Sequence, residues 1–322
     1  MRDLRVEVSI GGRLAPAVNG VDFDLAAGES VAVVGESGCG KTLLARALLG
    51  LGPDSARVSG SIRVGGHELV GASAEEWRCV RGRQISLVFQ EPASAFDPVV
   101  TVGAQIVEAV RAHRKVGRSE ARRIAIERLR ETGFPDPQRG MTEYPHRLSG
   151  GLKQRAFLAM ALASDPAVLV ADEPTTALDA TVAAQVLELL DRLRLDRGLA
   201  LLLITHDLGT VATHADRVIV MYAGRVVEES TAADLFRAPR HPYTRGLLAS
   251  LPRLSVRTSS ASRRFDAISG VVPDLASRPA RMCSFAPRCP ERFDPCDLEE
   301  PALYPAGEST ARCFLYDPRL RS

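Results

Sequence analysis

The chain has 322 residues, of which 45% are hydrophobic and 25% are charged, and this composition excludes wholesale disorder. Its 41 basic and 39 acidic residues give a net charge of +2, so no strong field attracts nucleic acid, and we expect no nucleic-acid partner. No apolar run approaches the roughly 20 residues of a membrane-spanning helix, and the start MRDLRVEVSI lacks the pattern of a secretory signal. The sequence therefore predicts a cytosolic α/β protein.

Strand patterns dominate the N-terminal part of the sequence. Residues 1–35 alternate in the manner of strands and end in the valine-rich run Val31–Val34. Residues 54–90 again resemble strands, whereas residues 103–133 show helical periodicity. We therefore expect an antiparallel β subdomain, followed by a helical subdomain over about 92–155.

The next part of the sequence alternates between strands and helices. The pattern predicts a strand at Val168–Ala171, a helix at Ala180–Arg194 and a strand at Leu201–Thr205. This alternation is typical of a parallel, doubly wound core. Residues 255–280, which are rich in Ser and Arg, resemble an extended connection.

A glycine-rich segment after the first valine-rich strand fits the pattern G-x-x-x-x-G-K-[ST] and opens a predicted helix. In such a loop, backbone N–H groups and the helix N-terminus bind phosphates. Lys41 would reach the β and γ phosphates, and the Thr42 hydroxyl would ligate Mg²⁺. A plain glycine-rich turn with a surface lysine is the alternative. The segment comprises Gly35, Glu36, Ser37, Gly38, Cys39, Gly40, Lys41 and Thr42.

An apolar strand further along ends in two carboxylates, Asp172 and Glu173. A buried strand that delivers an Asp to its carboxyl end can hold Mg²⁺, and the adjacent Glu can act as the base toward the attacking water. A solvated acidic turn would look the same in isolation.

A second candidate anion-binding turn is Leu148-Ser149-Gly150-Gly151, which precedes a predicted helix. The whole set of motifs resembles the ATPase domain of ABC transporters: P-loop, Q-loop glutamine, LSGG signature, Asp-Glu pair, D-loop and switch histidine occur in that order. The Q-loop residue is Gln90, the D-loop is Ala177-Leu178-Asp179, and the switch residue is His206. The resemblance covers residues 1 to about 240.

The resemblance implies a P-loop NTPase fold and a head-to-tail dimer around ATP and Mg²⁺, in which Ser149, Gly150, Gly151 and Asp179 of one chain complete the partner's site. Gln90 and His206 would sense Mg²⁺, the water and the γ-phosphate, and Gln90 would share Mg²⁺ with Thr42 and Asp172. The helical subdomain would receive a short helix from a permease.

One departure from that family concerns the adenine-binding position. The family usually stacks adenine on an aromatic residue before the P-loop strand, but residues 1–21 contain no Phe, Tyr or Trp. An aliphatic side chain such as Ile10 is a candidate substitute.

The segment His241-Pro-Tyr-Thr-Arg-Gly-Leu-Leu resembles the C-terminal extension of oligopeptide, dipeptide and nickel importer ATPases, and Trp77–Pro98 resembles their D-type subunit. The implied partners are a non-identical F-type ATPase and two integral-membrane permease subunits, with a solute-binding protein acting indirectly at the membrane. Short peptides are the expected solute, with nickel or another small solute as the alternative. A non-transport ABC ATPase or a small-molecule kinase fits less well.

Four cysteines crowd into the C-terminal tail with the spacing C-x5-C-x6-C-x16-C: Cys283, Cys289, Cys296 and Cys313. Disulfides are disfavoured in a cytosol, whereas four thiolates suit Zn²⁺ or an iron–sulfur cluster. The spacing lacks the C-x₂₋₄-C pairs of structural zinc sites, which favours [4Fe–4S] over Zn²⁺ or no metal. The tail also resembles the cysteine-bearing tail of peptide-importer ATPases. We expect a segment that buries no core of its own, with a structural rather than redox role, because it lies far in sequence from the ATP motifs.

These patterns together predict three parts: an ATPase domain over 1–240, a C-terminal helix and linker over 241–280, and a Cys-rich tail over 281–322.

Overall fold

The computed structural model describes residues 1–53, 55–90, 95–176, 178–251, 268–278 and 281–320. Ala177 of the predicted D-loop, and residues 252–267 and 279–280 of the predicted C-terminal helix and linker, lie outside these ranges. The strands are β1 (Arg2–Ile10), β2 (Arg13–Val21), β3 (Ser30–Val34), β4 (Arg57–Ser61), β5 (Arg63–Val64), β6 (His67–Glu68), β7 (Ile85–Val88), β8 (Val168–Asp172), β9 (Ala200–Ile204), β10 (Arg217–Tyr222), β11 (Arg225–Thr231), β12 (Tyr304–Ala306) and β13 (Ser309–Ala311).

The helices fill the intervals between these strands and cluster between β7 and β8. They are α1 (Lys41–Ala47), α2 (Ala74–Val80), α3 (Val102–His113), α4 (Arg118–Glu131), α5 (Pro137–Gly140), α6 (Gly150–Ala161), α7 (Ala180–Arg197), α8 (Leu208–His214), α9 (Ala232–Arg237), α10 (Pro242–Ala249) and α11 (Pro295–Leu298).

The main sheet has the strand order β12-β13-β11-β10-β3-β9-β8-β7. From β10 to β7 all neighbours are parallel, which confirms the predicted parallel core. Side chains of β9 alternate between two packed layers: Leu201 and Leu203 face the layer that contains α7, whereas Leu202 and Ile204 face the layer that contains α1. A strand covered on both faces is continuously apolar, as β9 is.

The carboxyl ends of β3, β8 and β9 lie side by side at one edge of this sheet, because these strands are parallel and adjacent. The P-loop follows β3, Asp172 ends β8, and His206 follows β9. Parallel pairing therefore brings three motifs to one edge, which is where α/β sheets bind ligands.

A small antiparallel sheet, β2-β1-β4, forms the predicted β subdomain. The strand-like interpretation of residues 54–90 is correct for β4 to β7 but misses α2. Ser73 begins that helix: its hydroxyl accepts from the Glu76 N–H, and the Glu76 carboxylate accepts from the Ser73 N–H. This capping box forms a helix where hydrophobic alternation alone favours a strand.

The helical subdomain consists of α3 to α6. Ile106, Ile124, Leu129 and Phe157 from these helices share one buried cluster with Leu169 and Leu203 of the main sheet. The periodicity over 103–133 thus corresponds to two helices, α3 and α4, that pack on the same core.

The C-terminal tail is built into the main sheet. β13 pairs with β11, and β12 pairs with β13. Ala286, Cys296 and Phe314 form a small buried cluster of their own, so the expectation of a tail without a core was wrong. The tail is polar and rich in Pro, but its strand β13 forms backbone hydrogen bonds with β11, and this pairing stabilises it. In the described ranges, no helix has the length and apolarity to cross a membrane.

Candidate active site

The P-loop turns sharply from β3 into α1, and two of its glycines are required by the close approach of neighbouring backbone. Gly35 has φ +152°, and a Cβ there would lie 2.2 Å from the Met221 carbonyl oxygen. Gly40 has φ +112°, and its Cβ would lie 2.7 Å from the Ala17 carbonyl oxygen. These contacts hold the loop between β2 and β10, with the N-terminus of α1 facing the site.

Lys41 is folded over the P-loop in this structure. Its Nζ donates to the Gly35 carbonyl at 2.7 Å and to the Glu36 carbonyl at 3.1 Å, and the side chain is 7% exposed. The ammonium is thus held against the loop by neutral acceptors. A triphosphate would replace those carbonyls with charged oxygens, which form stronger hydrogen bonds to an ammonium.

Asp172 has the properties of a cation ligand. It is 4% exposed, and its Oδ1 is a buried atom without a hydrogen-bond partner among the described residues. Burial raises the pKa of Asp172, opposed by a hydrogen bond with Thr42. A buried carboxylate oxygen with no partner is costly, and a hard cation such as Mg²⁺ removes that cost. Thr42 and Asp172 therefore fit Mg²⁺.

Glu173 lies at the centre of a polar cluster formed by three loops. Its Oε2 accepts from Gln90 Nε2 at 2.9 Å and from Thr176 Oγ1 at 2.7 Å, and its Oε1 lies 3.2 Å from His206 Nδ1. The structure thus brings Gln90 and His206 together on Glu173. Gln90 contacts Glu173 here, and Thr42 is the group that contacts Asp172.

The environment of Glu173 keeps its carboxylate ionised. Burial raises its pKa, but the hydrogen bonds of Thr176 and His206 and the charges of His206 and Lys41 outweigh burial, so the pKa is lowered. Glu173 also has φ +49°, an uncommon value for a non-glycine residue, and its N–H donates to Ile204 O at 2.8 Å. Strained backbone of this kind clusters at functional sites.

The signature turn and the D-loop residue lie on different helices. Ser149 caps α6 by accepting from the Leu152 N–H, and Asp179 caps α7 by accepting from the Val182 N–H. A Cβ on Gly151 would lie 2.6 Å from Val182 Cγ1, so the two helix N-termini are adjacent. Across the described ranges, no hydrogen bond joins Ser149, Gly150 or Asp179 to the P-loop.

In the described ranges three residues of the C-terminal part, Tyr243, Arg278 and Arg288, form hydrogen bonds with the P-loop, and the sequence analysis missed these contacts. Arg288 forms a bidentate ion pair with Glu36, with Nη1–Oε2 at 2.7 Å and Nη2–Oε1 at 3.0 Å. The fully buried Tyr243 accepts from the Glu36 N–H through its hydroxyl at 2.8 Å. The tail does lie far from the ATP motifs in sequence, since Arg288 and Glu36 are 252 positions apart, but the folded chain brings them together.

The tail cysteines are free thiols that lie in one small unit. The Cys283 N–H donates to Cys296 O at 2.9 Å, and Cys296 and Cys313 are buried. Burial raises the pKa of Cys283 to about 12 and that of Cys313 to about 11, with Cys296 adding to both. Within the part of the chain that the structure describes, no three His, Cys, Asp or Glu side chains are arranged to hold a metal ion. The predicted ligand set is therefore not preassembled.

Comparisons with known proteins agree with this geometry. A family model described as ABC transporter matches residues 18–176, and a model described as the C-terminal region of oligopeptide/dipeptide transporters matches residues 227–296. The oligopeptide transport ATP-binding protein AppD of Bacillus subtilis is 46% identical over 94% of this chain and 92% of its own length. The dipeptide transport ATP-binding protein DppD of the same organism is 44% identical over 99% of this chain and 95% of its own.

The fold also has solved counterparts. The ATP-binding cassette MJ0796, in a dimeric post-hydrolysis state bound to ADP and Pi, superposes with a TM-score of 0.63 at 26% identity. The match covers 72% of this chain and 97% of that one. This chain therefore extends beyond the cassette that the two proteins share.

Proposed function

The chain belongs to the family of ABC transporter ATP-binding proteins and is an ATPase, and we propose that it powers the import of short peptides through separate permease subunits. The observation that carries the proposal is the convergence of Gln90 and His206 on Glu173, beside a P-loop lysine and an unpartnered Asp172 oxygen. The match of residues 227–296 to the oligopeptide/dipeptide transporter C-terminal region supports peptides as the solute.

We assign the residues of this cluster to the steps of ATP hydrolysis. Lys41 leaves the Gly35 and Glu36 carbonyls and binds the β and γ phosphates, while the P-loop N–H groups hold the remaining oxygens. Thr42 and Asp172 would hold Mg²⁺, which would supply positive charge next to the phosphates. Glu173, whose lowered pKa keeps it ionised at neutral pH, accepts a proton from the attacking water.

Gln90 and His206 position this base. Both side chains are within hydrogen-bond distance of the Glu173 carboxylate, so they fix its rotamer before a water enters. His206 is also accessible, with 61% of its side chain exposed, which leaves its second ring nitrogen free to meet a γ-phosphate. Because Gln90 precedes the helical subdomain, a movement of that subdomain would shift the position of Gln90 and thereby change its hydrogen bond to Glu173.

We propose that hydrolysis requires a second ATPase chain, a non-identical F-type subunit. Ser149, Gly150, Gly151 and Asp179 form a donor-rich edge that has no hydrogen bond to this chain's P-loop in the described ranges. That edge would complete the partner's site, and the partner's edge would complete this one. ATP that bridges two surfaces favours the closed dimer through its higher affinity for that state.

The remaining partners are two integral-membrane permease subunits, which would dock on the helical subdomain at the cytoplasmic face of the membrane, and a solute-binding protein outside. We divide the chain into an ATPase domain over 1–240, a helix and linker over 241–280 and a tail over 281–322. The tail is continuous with the core sheet through β11 and β13, so we expect it to unfold together with the ATPase domain.

The test is ATPase activity of the chain alone and in a membrane complex with its F-type partner and permeases. We expect slow turnover alone and stimulation in the complex when a peptide-loaded binding protein is added. Full activity of a monomer would contradict the dimer requirement. Stimulation by a nickel-loaded binding protein but not by a peptide-loaded one would overturn peptides as the solute.

For the tail we propose a [4Fe–4S] cluster on Cys283, Cys289, Cys296 and Cys313, with Zn²⁺ as the alternative. The support is the presence of four buried or half-buried thiols in one small unit. Metal binding would have to draw the thiolates together, because the structure does not hold them as a ready ligand set. Iron, sulfide and zinc analysis of anaerobically purified protein tests this: stoichiometric zinc without iron overturns the cluster, and an intact metal-free tail overturns both.

A further inference from the structure

The C-terminal part of the chain covers the outer side of the P-loop, next to the strands that lack an aromatic residue. Residues 272–275 and Arg278 line a cavity of about 280 Å³ together with Ser37, Gly38 and Gly40 of the P-loop. A second cavity, of about 350 Å³, is lined by Ile10, Leu14 and Ala15 of β1 and β2 and their turn. Leu275 and Arg278 line both cavities. These two residues therefore stand between the phosphate loop and the β1–β2 hairpin.

Backbone carbonyls fix the guanidinium of Arg278. Its Nη1 donates to the Pro16 carbonyl at 3.0 Å and to the Ala17 carbonyl at 3.2 Å, and its Nη2 donates to the Gly38 carbonyl at 2.9 Å. The Nε is buried and has no partner among the described residues. Carbonyls on β2 and on the P-loop thus bind the same planar group from two sides, and this restricts the rotation of its plane.

The direction of a bound nucleotide follows from the P-loop. The triphosphate occupies the loop, and the base is joined to it through the ribose, so the base must lie in a space next to the loop. The smaller cavity adjoins Gly38 and Gly40, and the larger one continues from Arg278 along β2. A base in this space meets Ile10, Leu14, Leu275 and Arg278, because β1 and β2 supply no aromatic ring there.

We propose that Arg278, together with Leu275, binds the adenine base of ATP by stacking its guanidinium plane on the ring, in place of the missing aromatic residue. Guanidinium planes stack on bases, and arginine is preferred over lysine for this because it is planar. The inference rests on the proposed function, since it assumes that ATP occupies the P-loop. It makes the C-terminal segment a part of the nucleotide site.

The test compares ATP with inorganic tripolyphosphate, which has the phosphates but no base. Dissociation constants for both are measured by calorimetry on the full-length chain and on Arg278→Ala and Arg278→Lys variants. Stacking of one base contributes enough that its loss weakens binding about tenfold or more. We expect Arg278→Ala and Arg278→Lys to lose about tenfold for ATP and to leave tripolyphosphate binding unchanged. Arg281→Ala, at an exposed arginine three residues further on, should change neither.

Three outcomes would overturn the proposal. Equal weakening of both ligands would mean that Arg278 acts only by supporting Gly38 and the P-loop. Tighter ATP binding in Arg278→Ala would mean that Arg278 blocks the base site. Unchanged ATP binding in Arg278→Ala would mean that the base lies elsewhere. Should Arg278→Ala not fold, Arg278→Lys together with Leu275→Ala gives the same readout. Failure of the unmodified chain to bind either ligand would instead count against the proposed function.

Discussion

The ion pair between Arg288 and Glu36 links the tail to the P-loop, and Glu36→Gln tests how strongly. The Arg288 side chain is 5% exposed and that of Glu36 is 30% exposed, and two charge-assisted hydrogen bonds join them. Breaking a fully buried pair costs about 3–5 kcal/mol. Arg288 also donates to Ser269 O at 2.9 Å and to Gly270 O at 3.2 Å, which limits the loss. We therefore expect Glu36→Gln to lower the free energy of unfolding by about 2 kcal/mol.

Such a loss corresponds to a fall in Tm of about 3 °C for a unit of 322 residues. Differential scanning calorimetry or circular dichroism measures it. The matched control is Asp297→Asn, which removes the partner of Arg292 in an exposed pair of the same tail, 2.7 Å long. Exposed pairs contribute about 0–1 kcal/mol, so the control should lower Tm by about 1 °C or less.

The double variant Glu36→Gln, Arg288→Met isolates the interaction energy of the ion pair from the other effects of each substitution. Arg288→Met removes the charge as well, so the double variant should be no less stable than Arg288→Met alone. If Glu36→Gln lowers Tm no more than Asp297→Asn does, or if the two substitutions are additive, the ion pair does not couple the tail to the P-loop.

Three further results follow from the site. Glu173→Gln should bind ATP and lower turnover by about 10²–10⁴-fold, because the amide cannot accept the proton; gel filtration with ATP should show an accumulated dimer, and wild-type turnover would exclude Glu173 as the base. Asp172→Asn should abolish the Mg²⁺ dependence of ATP binding measured by calorimetry, whereas undiminished dependence would place the cation elsewhere. Burial lowers the pKa of His241 to about 3 in the folded chain, whereas the pKa of an unfolded histidine is 6.5. Between these two values only the unfolded chain gains the proton, so the free energy of unfolding falls as the pH falls below 6.5. Between pH 7 and 5 this amounts to about 2 kcal/mol by urea unfolding; His241→Asn, which retains an acceptor for the Tyr243 N–H, should remove it, and an unchanged pH slope would contradict a buried neutral His241.

Local sequence patterns predicted most of the fold and most of the candidate site. A valine-rich strand, a glycine turn and a helix are one continuous segment, so the P-loop is visible without any tertiary contact. The order of the later motifs then predicted that Gln90, Glu173 and His206 belong together, and the structure places them within hydrogen-bond distance. The capping box at Ser73 was equally local, but hydrophobic alternation around it concealed α2.

The cysteine tail shows where such patterns end. Its four cysteines predicted a metal site, but thiol spacing along a chain does not set the distances between thiols, and the described residues hold no assembled ligand set. Its polar composition predicted no core, yet β12 and β13 join the main sheet, and Ala286, Cys296 and Phe314 form a small buried cluster. Whether a short polar segment forms a strand of the sheet depends on a partner strand that lies elsewhere in the sequence, as β11 does for β13.

The sequence by itself determined the chemistry: a P-loop, a pair of carboxylates and a signature turn, each formed by neighbouring residues whose backbone geometry their own side chains dictate. The tertiary structure alone decided that the C-terminal part contacts the P-loop. Arg288 and Glu36, like Arg278 and Gly38, are joined across more than 200 residues. An arginine that binds a carboxylate or a carbonyl at such separation has no periodicity or spacing that marks it, because its partner is selected by the packing of the whole chain.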